Sequence, residues 1–120
     1  MKESIVGRKS ELFALRITKM FAYLQQEKHE TVISKQILRS VTSIAANIQE
    51  AIGAQSDKDF LHKFSIAYKE ARETRLWLTT LYESGYLTEQ QFCSMEADLT
   101  ELLKMIGSIQ ITMKKRLGIL

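Results

Sequence analysis

Apolar residues recur at alternating steps of three and four in four separate windows of the chain. Phe13, Ile17, Met20 and Leu24 form the first series, and Ile37, Val41, Ile44, Ile48 and Ala51 the second. The third runs Phe60, Phe64, Ala67, Ala71, Thr74, Leu78, Leu81, and the fourth Phe92, Met95, Leu99, Leu102, Ile106, Ile109, Met113. This spacing lays one apolar stripe along each of four α-helices packing at shallow angles, whereas half-buried strands would alternate every second residue. The pattern predicts an all-α chain.

The residues between the windows agree. Ser34 can cap the second helix, and Gly53 lies just past its end. Ser56 followed by Asp59 resembles a capping box that starts the third helix, which Gly85 stops. Thr88 with Gln91 starts the fourth, and Gly118 follows its last turn. The first connection, around residues 28–33, carries no glycine or proline to mark a stop. The predicted helices lie near residues 4–27, 34–52, 57–84 and 89–117, in one domain. Short connections force neighbouring helices to run antiparallel, which gives an up-down-up-down four-helix bundle. At about 1.5 Å per residue the third and fourth helices are each on the order of 40 Å long.

Composition supports long helices. The 120 residues include no proline and only five glycines, where average usage of proline alone gives roughly six. A single cysteine, Cys93, excludes a disulfide framework and any cysteine-rich metal site. No run of about 18 apolar residues occurs, so no membrane span is expected. The amino terminus mixes Arg8, Lys9 and Glu11 among its apolar residues and so lacks a signal-peptide core. With a free thiol, that points to the cytoplasm.

Net charge is only +3, yet its distribution is uneven. Residues 1–20 hold Lys2, Arg8, Lys9, Arg16 and Lys19 against Glu3 and Glu11. Residues 101–120 hold Lys104, Lys114, Lys115 and Arg116 against Glu101 alone. Residues 85–100 contain Glu89, Glu96 and Asp98 and no base. In an up-down-up-down bundle the start of the first helix and the end of the fourth share a pole. The candidate basic patch is therefore Lys2, Arg8, Lys9, Arg16, Lys19, Lys114, Lys115 and Arg116, suited to phosphate backbones. The competing reading is a solvated surface with cations placed favourably at a helix carboxyl terminus.

A polar series, Gln36, Ser40, Ser43, Asn47 and Glu50, runs beside the apolar stripe of the second helix and should be partly buried. Small Ser40, Ser43 and Ala46 would let another helix approach closely. Reflecting helices two and three about their connection puts Arg39 level with Glu70, and Gln36 level with Glu73. A contact of Arg39 with Glu70 or Glu73 is expected, within a structural network of Gln36, Arg39, Ser43, Asn47, Glu50, Glu70 and Glu73 that fixes helix register.

Two of these stretches carry a family resemblance. The first is Ser34 to Ser40, then Thr42-Ser43-Ile44-Ala45-Ala46-Asn47-Ile48, then Glu50-Ala51. The second is Lys69-Glu70-Ala71, Glu73-Thr74 and Trp77-Leu78, preceded by Ser56, Asp59-Phe60, Lys63 and Ile66-Ala67. Together they resemble the bacterial four-helix-bundle proteins grouped with the 23S ribosomal RNA intervening-sequence proteins, over roughly residues 8–115. Many members differ at Ala45, Ala51 and Lys69-Glu70, and this chain looks closer to the branch that carries Lys-Glu. The resemblance implies a small cytoplasmic bundle that assembles into a ring, typically a pentamer. It extends to the accessory protein of diversity-generating retroelements, and so implies RNA or DNA, and a reverse transcriptase or other protein client, as partners. It implies no enzymatic activity.

Catalytic and cofactor chemistry finds little support in the residues. Asp59-x-x-His62 is half of a di-iron motif whose second half is missing, and the other histidine, His29, stands alone. No phosphate loop, dinucleotide-binding glycine motif or nucleophile elbow occurs, so no cofactor and no metal are expected. Cys93, with Phe92 and Met95 nearby and no neighbouring histidine, reads as a buried inert thiol. Trp77, Tyr68 and Tyr82 at helical spacing read as core before they read as base-stacking platforms. Ile111 falls about 140° from Ile106 around the fourth helix, away from the core. Two functions follow: a non-catalytic homo-oligomer that binds nucleic acid through a basic surface, or a structural or protein-interaction scaffold that does not.

Overall fold

The computed structural model describes residues 4–120. Four helices follow one another: α1 (Ile5–Glu27), α2 (Val32–Ile52), α3 (Asp57–Glu83) and α4 (Glu89–Arg116), with no strand among the described residues. Each helix meets its two neighbours around the bundle, and the diagonal pairs are held apart by the core between them. Cross-helix ion pairs fix the antiparallel sense. Lys63 near the start of α3 reaches Glu50 near the end of α2 at 3.0 Å, and Arg116 at the end of α4 reaches Asp57 at the start of α3 at 3.3 Å. Gln49 near the end of α2 donates to Glu11 early in α1 at 3.3 Å, so the starts of α1 and α3 share a pole with the ends of α2 and α4. The long axis spans 48 Å, consistent with helices of this length.

The four apolar series form the interior. Ile17, Leu24, Ile37, Ile44, Ile48, Leu78, Leu81, Leu99, Leu102 and Ile106 are wholly buried. Phe60, Phe92 and Ile109, toward the ends of their series, are half-buried and pack against that core. Near the opposite pole Tyr82 of α3 stacks on Phe92 of α4, with ring centres 4.5 Å apart. Cys93 departs from expectation: it is exposed, because it sits one position past the Phe92–Met95–Leu99 seam and turns to the outer face of α4.

Helix ends follow the predicted signals except at the start of α2; Gly53 follows its last residue as expected. Thr88 accepts from the Gln91 amide at 3.1 Å and Gln91 returns the bond to the Thr88 amide at 2.9 Å, a complete capping box. At Ser56 only the first arm forms, from the Asp59 amide. Gly85 and Gly118 take φ of +86° and +71°, and the carbonyls of Leu81 and Lys114 accept from Tyr86 and Ile119, as in a Schellman stop.

The second helix begins at Val32, two residues before the expected start, and Ser34 is not its cap. The carboxylate of Glu30 accepts from the amides of Val32 and Ile33 at 3.0 Å each and of Ser34 at 2.7 Å. Ser34, wholly buried, instead donates its hydroxyl to the Glu30 carbonyl at 3.0 Å. Burial alone would raise the pKa of Glu30; the three amides outweigh it and hold the carboxyl below its ordinary range. His29 closes α1 at φ +54°, supplying the left-handed residue that a glycine usually provides.

The closest packing lies between α2 and α3, and the slightest between α1 and α4. Ser40 of α2 and Thr74, Ala67 and Ala71 of α3 are all wholly buried, so short side chains line the tight seam. The expectation of close approach holds for Ser40, while Ser43 is half-buried and Ala46 exposed.

Candidate nucleic-acid interface

The thin α1–α4 packing governs how the charged ends are displayed. The first turn of α1 borders a groove with Lys104, Met105, Ser108 and Ile109 of α4, so α4 runs on for about two turns beyond the start of α1. Lys9 pairs with Glu101 at 2.9 Å and Arg16 with Asp98 at 2.6 Å, which sets successive levels down the seam. The predicted basic residues therefore occupy a long strip, with Arg16 and Lys19 well away from the pole and Lys114, Lys115 and Arg116 projecting past it.

Many of these cations meet acids of the same chain. Arg8 lies 3.8 Å from Glu11 one turn on, and Arg116 is held by Asp57. Arg16 also donates to the hydroxyl of Ser94 at 2.6 Å and to its carbonyl at 3.3 Å. Lys19, Lys114 and Lys115 form no ion pair among the described residues; Lys19 and Lys115 are exposed and Lys114 half-buried. Lys2 lies outside the described residues. Two of the three acids in the stretch 85–100 are paired in the same way, Asp98 with Arg16 and Glu96 with Arg75, whose Nε lies 3.6 Å away. A charge count along the chain therefore overstates the field at either pole.

The polar network divides. Arg39 reaches Glu73 at 2.5 Å and Glu70 at 3.5 Å, and the Trp77 indole N–H donates to the same Glu73 oxygen at 3.3 Å. The hydrogen bond that Arg39 donates to Glu73 raises the Arg39 pKa, the nearby charges of Glu73 and Glu70 adding to it. Asn47 donates to the Ser43 carbonyl at 2.9 Å and to its hydroxyl at 3.2 Å, a bond within α2. Glu50 serves Lys63, and Gln36 is exposed. The register between α2 and α3 differs from a simple mirror: Ser40 faces Thr74, because the first turn of α3 extends past the end of α2.

Sequence reasoning missed a second concavity, between the outer faces of α3 and α4. This groove, about 710 Å³ in volume, is lined by Tyr68 and Arg75 of α3 and by Thr100, Lys104, Ser108 and Lys115 of α4, among others. The angular reasoning that turned Ile111 outward also places Lys104 and Lys115 within about 40° of it, so the signal was present. His29 and His62 are exposed, and no group of three or more His, Cys, Asp or Glu placed to hold a metal occurs among the described residues.

The 23S rRNA-intervening sequence protein model matches residues 2–108. The chain belongs to that family. A solved protein of the S23 ribosomal protein family from Bacteroides thetaiotaomicron, described as of unknown function, is 49% identical and superposes with a TM-score of 0.87. The match covers 88% of this chain and 98% of that one. No curated protein matches. In this member of the intervening-sequence family no helix among the described residues is long and apolar enough to cross a membrane.

Proposed function

We propose that this chain is a non-enzymatic, self-associating cytoplasmic bundle that binds RNA or DNA backbones with little sequence preference. The observation carrying this reading is the set of lysines on α4 outside any ion pair among the described residues: Lys104, Lys114 and Lys115, with Lys19 of α1 in the same condition. One such set is weak. Copies joined in a ring, a pentamer by family resemblance, would multiply it through effective concentration. Self-association draws support from α1, where Ile5, Leu12 and Leu15 are 79%, 49% and 51% exposed on the outer side of the bundle. Nothing in the site suggests bond-making chemistry, and a protein client such as a reverse transcriptase would use the remaining surface.

A scaffold without nucleic-acid binding is the second reading. It is favoured by the ion pairs of Arg8, Lys9, Arg16 and Arg116, half of the predicted basic set. Fluorescence anisotropy of labelled RNA and DNA 20-mers at about 50 and 200 mM salt separates the two. Backbone binding predicts measurable affinity at the lower salt and a steep loss at the higher. Absence of binding at the lower salt leaves the scaffold.

A further inference from the structure

We infer that the outer α3–α4 groove is the track for a single-stranded nucleic acid, a site that rests on the binding reading above and gives it an address. Both walls contribute cations. Arg75 comes from α3, Lys104 and Lys115 from α4, and no carboxylate among the described residues lines the groove. Lys104 and Lys115 are eleven residues apart on one face of α4, about 16 Å along its axis. Arg75 donates to the Thr100 hydroxyl at 2.7 Å, one turn before Lys104. The three cations thus lie along one line about 22 Å long. Ser108 places a hydroxyl between the two lysines, where a phosphate oxygen could accept.

Tyr68 supplies the second element of such a track. Its half-buried ring stands on the α3 wall beside Gly107, whose missing side chain leaves the floor open next to the aromatic edge. A cationic groove that follows the backbone, with an aromatic face for a base, is how proteins hold single strands without reading sequence. Arg75 is fixed in place on the α3 wall. Its Nη2 donates to Thr100 at 2.7 Å and its buried Nε pairs with Glu96 at 3.6 Å without a hydrogen bond, so the guanidinium is positioned by Thr100. A duplex fits less well, because a strip between two adjacent helices offers one line of cations and nothing to the second strand.

The test measures binding of labelled single-stranded RNA and DNA 20-mers, and of the matching duplex, to the full chain across a salt series. The wild type should prefer single strands at least about fivefold, since stacking on Tyr68 is unavailable to a paired base. Lys104→Gln with Lys115→Gln should weaken binding at least about tenfold and make the salt slope shallower by about 1.4. Lys28→Gln with Lys35→Gln, exposed residues at the other pole, removes the same charge and should change affinity by less than about twofold. Tyr68→Leu should weaken binding about tenfold while Tyr68→Phe keeps it, with helicity checked for both. A groove variant that binds like the wild type overturns the groove and leaves nucleic-acid binding standing. Equal affinity for the duplex overturns the single-strand assignment. A wild type that binds no nucleic acid at low salt removes both readings together.

Discussion

Ser40 of α2 and Thr74 of α3 face each other with hydroxyl oxygens 2.8 Å apart, both wholly buried at the tightest seam of the bundle. Each also lies within reach of a carbonyl in its own helix, Ile37 at 3.1 Å and Glu70 at 2.8 Å. With one proton apiece, one hydroxyl donates to its carbonyl and the other to its partner. Thr74→Val keeps the shape and removes that cross-helix bond, leaving Ser40 its own carbonyl. It should cost about 1–2 kcal/mol. Ser40→Ala with Thr74→Val should cost less than the sum of the singles, with a coupling of about 0.5–1.5 kcal/mol in a denaturant-unfolding double-mutant cycle. Additive losses would show that the pair contributes by packing alone.

Glu30 makes the start of α2 sensitive to acid. Its carboxyl is held below the ordinary value of 4.5 by three amides, against the opposing effect of burial. Because the folded pKa is the depressed one, the stabilisation is fully present above the unfolded value and fades as pH falls through it toward the folded value. Glu30→Gln should lose about 1 kcal/mol near neutrality, the usual scale of a lost cap. The variant and the wild type should converge in stability as pH drops below the ordinary carboxyl range, measured by urea unfolding at a series of pH values. A constant difference at every pH would mean that the carboxylate's charge is irrelevant to the cap.

That cap also marks what the sequence could and could not convey. The apolar series at three-four spacing determined four helices and their burial, because a stripe of that width has nowhere to go except a shared core. Thr88, Gln91, Gly85 and Gly118 act within a few residues of themselves, so their roles were legible. Glu30 was not, since a glutamate before a helix is ordinarily a solvated residue and only the left-handed turn at His29 folds it back onto the amides. The basic patch failed to stay whole for a related reason. Lys9 and Arg16 meet acids about eighty to ninety residues away, and those pairings depend on register, which periodicity leaves free. Arg39 was easier, because its helix and that of Glu73 are joined by a short connection.

Exposure of Cys93 has a direct chemical consequence. A thiol on the outer face of α4 should react with a stoichiometric aromatic disulfide reagent in native buffer, at a rate within about tenfold of that in denaturant. Protection by several orders of magnitude, relieved only on unfolding, would return the residue to the interior or place it beneath another copy of the chain. Repeating the measurement across protein concentration separates those two, because burial within one bundle is independent of concentration.

The outer stripe of α1 should decide whether copies associate. Leu12 is 49% exposed and lies on the same face as Ile5 and Arg8, beside a shallow apolar recess that these residues and Lys9 line. Half-exposed Leu12 contributes little to the monomer core, whereas an interface would bury its remaining half, about 0.7–1.5 kcal/mol per contact. Leu12→Glu therefore separates folding from assembly. Thermal stability of the isolated bundle should change by less than about 0.5 kcal/mol, since the position contributes little to the core. In sedimentation velocity the wild type should run as an oligomer and the variant as a 13.8 kDa species. Repeated at each interface of a closed ring, the upper figure per contact is enough to shift assembly by more than tenfold in concentration. If Leu12→Glu assembles like the wild type, α1 is not the joining surface; if the wild type itself is monomeric at cellular concentrations, the multivalent part of the functional reading is lost.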